Sequence, residues 1–154
     1  MPIANTLKRY LDSSKIQYDV VSHPFSRTSM ETAEAAKVSG HQLAKGVILK
    51  DGQGYLMAVL PSPLHVQIIT LNELTGRNLE LVEEDEVGRL FSDCDLGAIP
   101  PVGDAYQLEV VLDSTLLDEE SIYFEAGDHR ELIRVNEDDF QKLLKNARFE
   151  SFAD

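Results

Sequence analysis

The chain has 154 residues, one cysteine, a mean hydropathy of −0.20 and a formal net charge of −13 at pH 7. That length and apolar content predict one domain over residues 1–154 with its own core, and no apolar run approaches the roughly 18 residues of a membrane span. The single Cys94 leaves neither a disulfide framework nor a cysteine metal pair, and the N-terminus has no basic-then-apolar signal pattern, so a cytoplasmic location is expected. The acidic balance argues against a nucleic-acid partner for most of the molecule, but the charge is uneven. Residues 1–50 carry seven bases (Lys8, Arg9, Lys15, Arg27, Lys37, Lys45, Lys50) against four acids, while the remainder holds 23 acids against seven bases. A polyanion could meet the first third of the chain, not its body.

Ile3, Leu7, Tyr10 and Leu11 recur at helical spacing and predict an amphipathic helix over residues 3–14, followed by a strand over 16–21. After His23-Pro24, Thr28 and Glu31 have capping-box spacing and open an alanine-rich helix expected to stop near Gly40. The apolar runs 46–50 and 55–60 flank Asp51-Gly52-Gln53-Gly54, which predicts a β-hairpin. A strand is expected over 66–69, a short helix capped by Thr70 or Asn72 and ending at Gly76, a brief strand over 79–82, and a helix over 83–91. The acid run Glu83-Glu84-Asp85-Glu86 suits the N-terminus of that helix, where the dipole favours negative charge. Residues 92–106 read as a loop, 108–112, 122–125 and 132–135 as strands, and Asn136 as the cap of a last helix. Hairpin-ordered strands with irregularly interspersed helices predict an α+β fold with a mixed, largely antiparallel sheet.

Within the long loop, Gly97-Ala98-Ile99-Pro100-Pro101 is the most informative stretch. Each proline fixes its own φ and holds the preceding residue extended, and Gly97 permits a sharp entry, so the backbone is preset. The prolines carry no N–H, which leaves the amides of Gly97, Ala98, Ile99, Val102 and Gly103 as donors. Such a loop could hold a carbonyl or a developing oxyanion with little reorganisation, or serve as a rigid connector. Lys45, between Ala44 and Gly46 at the mouth of the run 46–50, reads either as a fixed cation for a phosphate or carboxylate or as a solvated strand end. His129, after Ala126-Gly127-Asp128, is placed by a turn that could aim its imidazole inward at an ester carbonyl or ribose hydroxyl, or is a structural turn residue. His23, His41 and His65 lack metal-ligand spacing, so no metal is expected. Cys94, flanked by Asp93 and Asp95, reads as a packing residue rather than a nucleophile. No Gly-x-Ser-x-Gly elbow, phosphate loop or dinucleotide fingerprint occurs.

Lys45 before an apolar strand, the 51–54 hairpin, Gly97-Ala98-Ile99-Pro100-Pro101 and Ala126-Gly127-Asp128-His129, in that order, resemble the YbaK/prolyl-tRNA-synthetase-associated family of editing domains. The resemblance covers nearly the whole chain and implies that family's α+β editing-domain fold. It further implies trans-editing: hydrolysis of the ester joining a wrong, small amino acid to the terminal adenosine of a tRNA, with alanine on the tRNA for proline as the leading case. No metal or other cofactor is implied. By the family's pattern Lys45 matches a lysine that meets the terminal nucleotide and is needed for activity, Gly97 the loop glycine that positions the aminoacyl carbonyl, and His129 the histidine of the turn at the pocket. Gly127 belongs to that turn, and Ala98, Ile99, Pro100 and Pro101 to the substrate-binding loop. Phe25, Thr28 and Met30 fall where the family's amino-acid pocket is lined, and the paired prolines resemble the alanine-editing branch. An oriented water would attack the ester, aided by a ribose hydroxyl, which fits the lack of a catalytic triad. The implied partners are the tRNA acceptor end and an aminoacyl-tRNA synthetase, with no DNA and no membrane. Gly46 departs from the polar residue that relatives often carry there. Two other readings stay open: a non-catalytic tRNA- or synthetase-binding module, and a hydrolase of a non-tRNA aminoacyl ester.

Overall fold

Helix α1 (Asn5–Ser14) forms where Leu7 and Leu11 share a face, and both leucines are buried. The structure is a computed structural model that describes residues 3–26 and 28–154; Arg27, one of the seven bases of the first third, lies outside the described residues. Strand β1 (Asp19–Ser22) starts later than the apolar run 16–21, because Ile16 and Tyr18 pack against the core before the chain reaches its sheet partner. Helix α2 (Ser29–Ala36) is capped as expected, with the Thr28 hydroxyl accepting the Glu31 N–H at 3.1 Å. It ends before Gly40: Lys37 takes the left-handed conformation and its N–H closes on the last turn. Gly40 instead opens a short 3₁₀ turn capped by Ser39.

Strands β2 (Leu43–Asp51) and β3 (Gly54–Pro61) make the predicted hairpin. β2 begins earlier than the run 46–50, so Lys45 sits inside the strand, opposite Leu60, and not at its mouth. No strand forms over 66–69: Val66 makes one bridge to Ala153, and helix α3 (Ile68–Thr75) already begins at Ile68, after Gln67. Neither Thr70 nor Asn72 caps it, and Asn72 Oδ1 accepts the Leu79 N–H at 2.8 Å instead. Strand β4 (Glu80–Leu81) and helix α4 (Glu84–Leu90) follow as expected. Beyond the proline loop come β5 (Glu109–Asp113), β6 (Ser121–Glu125), β7 (Glu131–Asn136) and helix α5 (Glu137–Leu143), with Asn136 Oδ1 accepting the Asp139 N–H at 2.8 Å. Strand β8 (Arg148–Glu150) carries no readable alternation and pairs parallel with β5.

The sheet is mixed, in the order β1-β7-β6-β2-β3-β5-β8, with β4 paired to β2 off that path. Pairs β1–β7, β7–β6, β2–β3 and β2–β4 are antiparallel, and β2–β6, β3–β5 and β5–β8 parallel. Alternation sends Ala44, Ile48, Met57 and Val59 to one face, packed with α1 and α5, and Leu49, Leu56, Ala58 and Leu60 to the other, packed with Leu71 of α3. One edge of β2 is shared by two strands. β6 pairs with Leu43 and Ala44, and β4 with Leu49 and Lys50. Residues 45–47 lie between the two ladders, and the sheet is parted there. No described helix is long and apolar enough to cross a membrane.

Candidate active site

The parting of β6 from β4 opens a cleft of about 330 Å³, lined by residues 44–48, by Glu84 and Val87 of α4, by Leu96, Gly97 and Ile99 of the proline loop, and by Glu125 at the end of β6. Its floor is therefore the edge of a strand that lacks a neighbour over three residues. The Lys45 Nζ donates to the Ser62 carbonyl at 2.9 Å. Ser62 is itself fixed, since its N–H and hydroxyl both reach the Leu43 carbonyl, at 2.9 and 2.8 Å. Burial lowers the Lys45 pKa from its ordinary value, because the charged amine is partly withdrawn from water. Gly46 faces Met57, whose Sδ would lie 3.1 Å from an added Cβ, so a side chain here would displace the methionine.

The proline loop is latched to the β6–β7 turn. The Asp95 N–H donates to the Gly127 carbonyl at 2.7 Å, and the His129 Nε2–H donates to the Leu96 carbonyl at 2.5 Å. Gly127 has φ 115°, and an added Cβ would stand 3.0 Å from Ala4 Cβ and 3.4 Å from the Cys94 Sγ, so only glycine lets α1 and the loop close on the turn. His129 itself has φ 61°, in the small left-handed region, where histidine is among the more tolerant residues. The Ala98 N–H is occupied by the Asp95 carbonyl at 3.1 Å, which corrects the expectation that it points free. Among the described residues the amides of Gly97 and Ile99 have no hydrogen-bond partner, and both residues line the cleft.

In the cleft wall lies a group that sequence reasoning missed. Glu125, with 7% of its side chain exposed, stands between His23 and His129: Oε1 is 3.8 Å from His23 Nε2 and Oε2 is 3.8 Å from His129 Nδ1. His23 Nδ1 is 2.7 Å from the Pro24 carbonyl. Carbonyl oxygens only accept, so His23 carries its proton on Nδ1 and His129 on Nε2, and in the neutral rings the nitrogens that face Glu125 are lone pairs. All four facing atoms are buried and lack a hydrogen-bond partner among the described residues. Burial pushes the Glu125 carboxyl up to about 7, the Asp128 charge adding to this and the Thr32 hydroxyl opposing it. The donor beside the cluster is the Thr32 hydroxyl, already paired with Ser26 Oγ at 2.5 Å, and neither Glu125 oxygen is within hydrogen-bond distance of a partner among the described residues.

Of the residues singled out by sequence, Lys45, Gly97 and Ile99 meet in the cleft, with His129 immediately behind Leu96. Ala98, Pro100 and Pro101 are buried in the loop's own packing, and Gly127 in the turn. Phe25 stacks edge-on to His129, centroids 5.5 Å apart, with the Arg130 guanidinium 5.3 Å above its ring. Thr28 is spent on the α2 cap, and Met30 is exposed, with its thioether close to Gly40, so neither is among the cleft residues. Cys94 is pushed up to about 12 by burial, which keeps it a thiol, as its acidic neighbours led one to expect. Of the acid run, Glu86 does more than start a helix: it accepts from Lys50 Nζ at 2.9 Å and from the Tyr55 hydroxyl. His23 and Glu125 left only faint marks in the sequence, a histidine two residues before Phe25 and an acid closing the apolar run Ile122-Tyr123-Phe124. Among the described residues no group of three or more His, Cys, Asp or Glu side chains is arranged to hold a metal ion. A larger concavity of about 520 Å³ lies along residues 16–19 and 134–136, but its charged groups, Arg134 and Asp19, pair with each other at 3.1 Å.

Solved structures share the fold, and three illustrate it. A candidate trans-editing enzyme for prolyl tRNA synthetase superposes with a TM-score of 0.87 at 23% identity, covering 100% of this chain and 98% of that one. A scaffold protein used for computational grafting of linear epitopes gives 0.86 at 22% identity, covering 100% and 98%. A candidate signal transduction protein from Marinobacter aquaeolei VT8 gives 0.79 at 19% identity, where 96% of this chain corresponds to 30% of that one. No curated protein sequence matches the chain significantly. The aminoacyl-tRNA editing domain family matches residues 4–143, a span that takes in the cleft, the latched loop and the His129 turn, and the chain belongs to that family.

Proposed function

We propose that the protein is a trans-editing aminoacyl-tRNA deacylase, acting on the ester of a small amino acid, with alanine on the tRNA for proline as the first substrate to try. The observation that carries this reading is the gap in the β2 edge, where a fixed amine and two unoccupied loop amides line one cleft in a member of an editing family. In this reading Lys45 holds the terminal nucleotide of the acceptor end. The amides of Gly97 and Ile99 receive the carbonyl oxygen as negative charge develops on it, and His129 holds the loop in place through Leu96. Water adds to the ester carbonyl, the bond to the ribose oxygen breaks, and that oxygen takes the proton, leaving a free amino acid and an uncharged tRNA end. Preset backbone donors supply the stabilisation, so no covalent protein nucleophile is needed. The partner is the tRNA acceptor end, presented free or beside a synthetase.

The test is a panel of mischarged tRNAs, led by alanyl-tRNA for proline codons beside cysteinyl, seryl and threonyl counterparts, with release of amino acid followed over time. Release from one substrate, reduced roughly a hundredfold or more in a folded Lys45→Ala variant, is the expected result. Unchanged release in that variant would remove Lys45 from the mechanism. Binding without release by the wild-type protein would replace the deacylase with a tRNA-binding module.

A further inference from the structure

The buried Glu125 has no function in the scheme above, yet it lines the cleft and both its oxygens are unpartnered. Its position is set by the ladder. Leu43 and Ala44 pair in parallel with Tyr123 and Phe124, so the next rung, where pairing stops, sets Lys45 opposite Glu125. Leu43 and Tyr123 pack together on the α2 side of the sheet, and Ala44 and Phe124 on the other side. By alternation Lys45 and Glu125 therefore leave their strands on the same face as Leu43 and Tyr123. The cleft thus presents a cation and, beside it, a carboxyl.

The surroundings of Glu125 sharpen what it can take. In their neutral forms His23 and His129 each commit the ring N–H to a backbone carbonyl and turn the other nitrogen, a lone pair, toward the carboxyl. Three acceptors converge, and the one hydroxyl set beside them, that of Thr32, is shared with Ser26 Oγ and completes a hydrogen bond to neither carboxyl oxygen. Leaving buried polar atoms unpaired is costly, and native interiors rarely do so without a purpose. A protonated Glu125 would satisfy one neighbour; an alkylammonium group entering from the cleft would bring a positive charge and three donors to the carboxylate. Of the three, only Glu125 is among the residues that line the cleft, so it is the member of the cluster that meets a ligand.

We propose that Glu125, backed by His23 and His129, is the receptor for the free α-ammonium group of the aminoacyl substrate, so that the cleft takes aminoacyl esters and rejects those whose amine is blocked. This rests on the deacylase reading for the identity of the ligand, and it makes the site read both ends of the scissile unit. Lys45 meets the nucleotide side, the loop amides the carbonyl, and Glu125 the amine. N-acylated aminoacyl-tRNAs would present a neutral, bulkier amide to a desolvated carboxylate and be turned away.

The test uses two unreactive ligands, 3′-alanylamino-3′-deoxyadenosine and its N-acetyl derivative, titrated into the wild-type chain and the Glu125→Gln variant with binding read by NMR. The wild type should prefer the free amine by roughly tenfold or more, the effect of one charge-assisted hydrogen bond. Glu125→Gln should bring the two affinities within about twofold while keeping the N-acetyl affinity, which also shows that the variant is folded. Equal wild-type affinities, a variant weakened alike for both ligands, or no binding of either ligand would overturn the proposal. The two readings separate in a second assay, release of alanine from alanyl-tRNA and from N-acetyl-alanyl-tRNA. Selective binding without any release would sustain the amine receptor and refute the deacylase; equal release from both would sustain the deacylase and refute the amine receptor.

Discussion

Two clusters of ionisable side chains sit at opposite ends of β2, and they are finished differently. At the hairpin end Arg77 donates to Asp51 through Nε at 2.8 Å and Nη2 at 2.7 Å, to the Gly54 carbonyl at 3.1 Å and to Glu109 at 2.8 Å. Four of its five N–H groups are taken by acceptors, and Asp51 also receives the Gln53 N–H at 2.8 Å. Near Lys45, Glu125 faces one nitrogen of each of two histidines, and neither of its oxygens has a partner within hydrogen-bond distance among the described residues. The first cluster is complete without a ligand and clamps the turn. The second is incomplete, and it is the one that borders a cleft. In this fold a satisfied charge marks structure, and an unsatisfied one marks a place kept for something else.

Stability against pH should separate the two. Glu125 has its folded pKa raised to about 7 from 4.5, so the native state holds a proton that the unfolded chain gives up earlier. Stability therefore falls as pH rises from about 4.5 to about 7, by up to about 3 kcal/mol. Glu125→Gln should be more stable than wild type by up to that amount at pH 8, a gain that vanishes near pH 4; thermal melts of both proteins across this range would show it. A destabilised Gln variant at pH 8 would mean that the carboxylate is a structural partner after all.

Asp51 behaves in the opposite sense. The Arg77 guanidinium holds its carboxyl well below the usual carboxylate range, outweighing burial. Its contribution is present above the unfolded value of 3.8 and is lost as pH falls below it. Arg77→Ala should lower Tm by a few degrees at neutral pH, since it strands a carboxylate that the fold has closed over, and should flatten the acid limb of the stability curve. Glu109, more than half exposed, is the weaker arm, and Glu109→Gln should shift Tm by less than Arg77→Ala in the same melts. Smallest of all is Lys8→Ala: its partner Asp12 is exposed one helical turn away, and no measurable change in Tm is expected.

Much of the fold was legible because local chemistry acts locally. The Thr28 cap, the Asn136 cap, the Gly52-Gln53 turn and the Gly76 terminus each depend on a few neighbouring residues, and each appears where the pattern put it. The failures are equally specific. β8 has three residues and pairs with β5 far away in the chain, so no period announces it. The run 66–69 is apolar enough for a strand, but it is covered by the C-terminal segment, and α3 claims its second half. At the site, Lys45, Gly97 and His129 could be singled out from their neighbours in sequence, yet Glu125 and His23 could not. They are 102 residues apart, and neither sits in a local motif.

By itself the sequence determined the chemistry available: a stiff loop poor in N–H groups, a lysine beside small residues, a glycine turn that carries a histidine, and a family resemblance that the family match bears out. Only the tertiary structure decided that two strands would compete for one edge of β2 and leave residues 45–47 bare between them. It alone closed His23 and His129 around Glu125, because desolvation and the geometry of converging lone pairs are properties of packed space. Side-chain order along a chain fixes which groups exist and which way each strand turns them. Which of them are left without a partner is settled only when the whole sheet has been assembled.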